Sequence, residues 1–158
     1  MLIWRSSGRT PTSHSRQAGD GPGVDRLTGP RIVTWAIRTA DIDGSVAAAK
    51  VLGYDPGPPT SMSRRTDAGD VLPWRHTPPR VELNDGLVPF LIDWGSTPHP
   101  TSRDLPQTRL TSWTAIHPTP EILQRLLAVL RCQLQIAAGD RPALIAVIEG
   151  HRGLVTLT

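Results

Sequence analysis

Asp93, Trp94 and His99 set a carboxylate, an indole and an imidazole within seven residues. Such a group can orient a small molecule, with Asp93 or His99 as general base and the indole as a flat wall. The same residues also have a purely structural reading. Asp93 can accept backbone N–H groups in the Gly95–Thr97 turn, and His99 can punctuate a proline-flanked loop. Trp74 beside Arg75 offers an aromatic ring and a cation to an anionic ligand, or an edge strand in water. Trp35 and Trp113 either pack in the core or contribute a wall to a pocket. The candidate ligand-binding residues are therefore Trp35, Trp74, Arg75, Asp93, Trp94 and His99, with Asp93 and His99 as the catalytic candidates. His76, His117 and His151 lie in turns or at strand ends and read as surface residues. No Gly-rich phosphate loop, Gly-x-Ser-x-Gly, His-Glu-x-x-His or paired-cysteine motif is present.

The elements that must position these groups follow from periodicity. Ile32 to Arg38 reads as a buried strand. Asp41 caps a helix that carries Ile42, Val46 and Ala49 on one face and stops at Gly53. Pro56, Pro58 and Pro59 then break regular structure. Met62–Thr66 and Val71–His76 flank Asp67-Ala68-Gly69-Asp70, a hairpin signal, and Pro73 places the second strand at an edge or bulge. Leu87 to Trp94 reads as a strand that Gly95 ends. Leu110 to Ile116 is the next. Thr119 caps a second helix with Pro120 in its first turn and an apolar stripe of Ile122, Leu123, Leu126, Leu127 and Leu130. Strands at Leu134–Ala137, Ala143–Glu149 and Leu154–Leu157 complete the chain.

The order strand, helix, three strands thus occurs twice. Its opening also recurs: Arg31-Ile32-Val33-Thr34-Trp35 returns 78 positions later as Arg109-Leu110-Thr111-Ser112-Trp113. Repetition of a supersecondary unit predicts two βαβββ modules packed as one α+β domain, module 29–100 and module 108–158. Residues 1–28, rich in Ser, Gly, Arg and Pro, read as a disordered tail.

Charge narrows the partners. Of the net +3, all falls in residues 1–31, and residues 32–158 balance twelve basic against twelve acidic side chains. A nucleic-acid surface concentrates positive charge on the folded part, so no nucleic-acid partner is expected. No apolar run reaches the ~20 residues that span a membrane, and the short apolar start is no signal peptide, so a cytoplasmic location without membrane contact is expected. Cys132 is the only cysteine, which excludes an internal disulfide and a thiolate-rich metal site.

Leu87-Val88-Pro89-Phe90-Leu91-Ile92-Asp93-Trp94-Gly95-Ser96-Thr97-Pro98-His99-Pro100 resembles a recurring segment of bacterial glyoxalase-like proteins of the vicinal oxygen chelate superfamily. The stretch Gly29 to Thr39 with Asp41 and Asp43 resembles the opening of an inner module, and Met62-Ser63-Arg64 with Trp74-Arg75 also fits. The resemblance implies paired modules forming an open mixed β-barrel, helices outside, around a small-molecule cavity. Relatives usually carry a further module upstream, where this chain has its tail, so a truncated form is expected. Metal-dependent relatives place a His near the start of a module's first strand and a Glu near the end of its last. Here the positions around Thr34 and Ser112 are hydroxyl or apolar, and Thr156 stands where a carboxylate would serve. Asp93 and Glu149 are acids at strand ends with no His placed to join both. The expectation is a small-molecule ligand bound without a cofactor. A lyase, isomerase or dioxygenase using a divalent metal is the alternative, and an interaction remnant without ligand a second. Loss of a module exposes sheet edge, which makes a homodimer a further expectation.

Overall fold

The computed structural model describes residues 2–3, 31–66, 68–81, 84–102 and 107–158. The strands are β1 (Leu2–Ile3), β2 (Trp35–Arg38), β3 (Thr60–Arg65), β4 (Val71–His76), β5 (Phe90–Asp93), β6 (Arg109–His117), β7 (Gln135–Ala138), β8 (Ala143–Gly150) and β9 (Gly153–Leu157); the helices are α1 (Ile42–Val51) and α2 (Pro120–Val129). The class is α+β, with two mixed sheets. One has the order β1-β2-β5-β4-β3 and the other β7-β6-β8-β9. Among the described residues no helix is long and apolar enough to cross a membrane. The expected tail, residues 1–28, lies outside the described residues apart from β1, which pairs antiparallel with Trp35 and Ala36.

Local chemistry explains the first helix well. The Asp41 carboxylate accepts the Gly44 N–H at 2.9 Å, Asp43 follows in the first turn, and Lys50 sits in the last. Each charge opposes the helix dipole end it faces. A Cβ on Gly44 would collide with that capping carboxylate. α2 begins differently. Thr119 makes no side-chain cap bond. Its hydroxyl and its N–H both meet Nδ1 of His117, at 3.2 and 3.0 Å.

Two strand expectations shorten. β5 starts at Phe90 rather than Leu87 because the Leu87 carbonyl is turned inward to accept the Trp35 indole N–H at 2.9 Å. Gly86, at φ 74, permits that turn; it lies so close to the Val33 carbonyl that a Cβ would strike backbone. β2 likewise starts at Trp35 rather than Ile32, although Ile32 is buried. The hairpin stands where expected, with Thr66 N–H donating to the Asp70 carbonyl; Asp67 lies outside the described residues.

The chain order βαβββ does recur, but the halves do not fold as copies. In the first, the strand after the helix goes to the far edge, and the last strand, β5, pairs in parallel with β2. In the second, the strand after the helix, β7, pairs directly and in parallel with β6. Connection length accounts for the difference. Residues 52–59, with three prolines, carry the chain across the first sheet, whereas residues 130–134 bring it straight back.

The helices, expected outside a barrel, face into a shared core. Ile42, Val46 and Ala49 of α1 and Leu123 and Leu127 of α2 form one buried cluster with Trp35 and Leu91 of the first sheet and Ala115, Leu144 and Ala146 of the second. Trp35 and Trp113 meet edge to face, ring centroids 5.4 Å apart. The halves therefore join through the sheet faces that carry the helices. No closed barrel forms, because those faces are filled by side chains rather than curled around a space.

Candidate functional site

Strand alternation divides the first sheet into two faces. Register places Trp35, Ile37, Leu91, Asp93 and Arg75 on one side. This is the α1 side, since Arg75 donates two hydrogen bonds to the Asp43 carboxylate, at 2.6 and 2.9 Å. The Arg75 guanidinium holds the Asp43 carboxyl below the usual carboxylate range, and its own pKa rises for the same reason. Ala36, Arg38, Phe90, Ile92, Trp74, His76, Met62 and Arg64 occupy the opposite face.

That face carries a second apolar cluster, separate from the core. Ala36, Ile92 and Trp94 are buried there, with Trp74 and Phe90 packed against them. The Trp74 and Trp94 rings lie 5.4 Å apart and tilted by 40°. His99 meets Trp94 edge to face at 5.5 Å, and His76 meets Phe90 at 5.9 Å. The loop that brings His99 here is tied down by the Thr97 hydroxyl, which donates to the Pro73 carbonyl at 2.7 Å. Thr77 directly follows β4. Fully buried, it extends the β4–β5 pairing with its own side chain, its hydroxyl accepting the Leu91 N–H at 3.0 Å.

The candidate residues are thus split. Trp74, Trp94 and His99 come together. Trp35 is buried in the core, with its N–H satisfied by Leu87. Arg75 points away from Trp74 and is engaged by Asp43. Asp93 lies on the α1 face, and its Oδ1 accepts the Gly95 N–H at 2.8 Å. The three-residue grouping of carboxylate, indole and imidazole does not form, because adjacent strand residues point to opposite faces.

Hydrogen bonding fixes the roles of the two histidines. His99 Nδ1 accepts the Thr101 N–H at 3.2 Å and lies 2.6 Å from its hydroxyl. The neutral ring therefore keeps its proton on Nε2 and acts as a donor. Burial, then the nearby charge of Arg38, pushes the His99 pKa below its ordinary value. In that state His99 is no general base. His76 is the reverse: Nδ1 lies 2.9 Å from the Thr77 carbonyl, which can only accept, so Nε2 is the free acceptor. From sequence alone, His76 reads as a surface residue. Its alternation with Trp74 on β4 was the signal that it shares the aromatic face. A second missed signal is His-Pro-Thr, present at His99–Thr101 and His117–Thr119, which builds the same imidazole-capped turn twice.

One polar atom in the cluster is unsatisfied. Trp94 is 7% exposed, and its indole N–H finds no partner among the described residues; the Trp113 N–H in the core is in the same state. Among the described residues no three His, Cys, Asp or Glu side chains converge, so they do not supply the donor set of a metal. Cys132 is half-buried against the core, and burial raises its thiol pKa, which disfavours a reactive thiolate.

A family model described as a glyoxalase-like domain matches residues 7–130. No curated protein matches the chain. No solved structure matches it either.

Proposed function

The chain belongs to the glyoxalase-like domain family, and from that premise we propose that it binds a small organic molecule without a metal, on the first-sheet face opposite α1. The observation that carries this reading is the gathering of Trp74, Trp94, Phe90, His76 and His99 on that face. Trp74, Phe90, His76 and His99 stay only partly buried over the packed Ala36, Ile92 and Trp94, and ring-lined surfaces with a few convergent polar groups suit a small molecule. Binding rather than catalysis is the reading because Asp93 points away and His99 is held as a donor. The test is an NMR titration of the indole N–H resonances with a panel of aromatic and aliphatic metabolite-like compounds, beside metal analysis of the purified protein. Shifts confined to Trp74 and Trp94 are expected, with metal content below stoichiometry. Shifts at Trp35 and Trp113 alone would move the site into the core, and a stoichiometric divalent ion would restore the metal-dependent reading.

A further inference from the structure

Most polar groups of the aromatic face are hydrogen-bond donors. Trp94 contributes a buried N–H without partner, and His99 contributes Nε2–H. Arg38 and Arg64 are exposed at strand positions on this face, and neither forms a salt bridge with a described residue. No Asp or Glu occupies any position that β2, β3, β4 or β5 presents there: these are Ala36 and Arg38, Thr60, Met62 and Arg64, Leu72, Trp74 and His76, Phe90 and Ile92. The acids that follow β2 and end β5, Asp41, Asp43 and Asp93, are engaged by Arg75 and by helix and turn N–H groups, while Asp70 stands beyond Arg64 in the β3–β4 hairpin turn. The face is therefore a donor-rich, positively charged surface floored by flat rings. His76 Nε2 is an acceptor on it, beside the exposed Thr60 hydroxyl, which can donate or accept.

We infer that this face takes a planar aromatic carboxylate carrying a hydroxyl group, with Arg38 meeting the carboxylate, Trp74 the ring and His76 Nε2 the hydroxyl proton. This rests on the binding reading above and narrows it to a ligand class. The buried Trp94 N–H, without a partner among the described residues, gives a resonance that reports on a ligand at the adjacent rings. A neutral or cationic ligand would leave the arginine charge without a partner ion.

The experiment titrates the full chain with 4-hydroxybenzoate, benzoate, 4-hydroxybenzyl alcohol and cyclohexanecarboxylate, following the indole N–H resonances, with Trp94→Phe assigning one of them. 4-Hydroxybenzoate should bind most tightly and shift the Trp94 resonance. Removing the carboxylate should weaken binding about 10-fold or more, since hydrogen bonds to charged groups carry such discrimination. Arg38→Gln, an exposed change that leaves the fold intact, should abolish the preference for the anion while leaving 4-hydroxybenzyl alcohol unaffected. His76→Phe should abolish the preference of 4-hydroxybenzoate over benzoate. If the neutral alcohol binds as tightly as the acid, or Arg38→Gln keeps the preference, the ligand class is wrong while the binding face stands. If none of the four perturbs Trp74 or Trp94, both the ligand class and the binding reading fall.

Discussion

The two halves share an order of elements and little else. In the first, a long proline-containing link sends β3 to the far edge, and β5 returns beside β2. In the second, a short link sets β7 beside β6. Their outward faces diverge as well. The first carries Trp74, Phe90 and His76, with Trp94 at the end of β5. The second presents Ser112, Thr114, Ile116, Ile145, Val147 and Thr156, with no ring among them. The second sheet's one indole, Trp113, points into the core. The contrast teaches that the halves serve different ends: the second packs, and the first packs on one side while offering rings on the other.

The largest test of that contrast sets the two core indoles against each other. Trp35→Ala should cost about 3–5 kcal/mol in denaturant unfolding, because it removes a buried ring and leaves the Leu87 carbonyl alone. Trp113→Phe should cost less than about 1.5 kcal/mol, since it keeps a ring and removes an N–H that has no partner. Equal losses would mean that the second half depends on its indole as the first does. Next, Thr77→Val should destabilise by about 1–3 kcal/mol, because it strands the buried Leu91 N–H. The aromatic face should loosen with it, read as broadening of the Trp74 and Trp94 indole resonances. Smaller still is the difference between the helix starts. Asp41→Ala should cost about 1 kcal/mol. Thr119→Ala should cost less, because His117 Nδ1 keeps the backbone N–H of residue 119.

The smallest effect is a pH dependence that belongs to the first half. His99 has a folded pKa below its unfolded value of about 6.5, so its neutral form is the native one. Its contribution is complete above the unfolded value and is lost as pH falls through the folded one. Protonation removes the acceptor of the Thr101 N–H, so the 94–102 loop should loosen on acidification below about pH 6.5, seen as a change at the Trp94 indole resonance. His99→Asn, which retains an acceptor, should flatten that response. An unchanged response would assign it to another group.

Legibility in the sequence followed the range of the interaction. Both helices, the Asp41 cap and the hairpin depend on neighbours a few residues apart, and their residue types announced them. The inward turn at Leu87 did not show, because its cause is an indole 52 residues away. Strand order in the second half was hidden for a similar reason, since periodicity reports which residues are apolar and not which strand lies beside which. The split of Trp74 from Arg75 and of Asp93 from Trp94 was available from alternation alone. Sequence proximity, by contrast, groups residues that the strands send to opposite faces. The histidine roles required hydrogen-bond partners, although the doubled His-Pro-Thr pointed to them.

The outer strand of the second sheet, β9, reads Gly-Leu-Val-Thr-Leu, and Leu154 and Val155 stand largely exposed on it. It holds no lysine, proline or charged side chain to blunt its open row of amide groups. Concentrated solutions of this chain should accordingly gain colloidal stability from one lysine at Val155, a substitution that leaves the core and the ring-bearing face untouched.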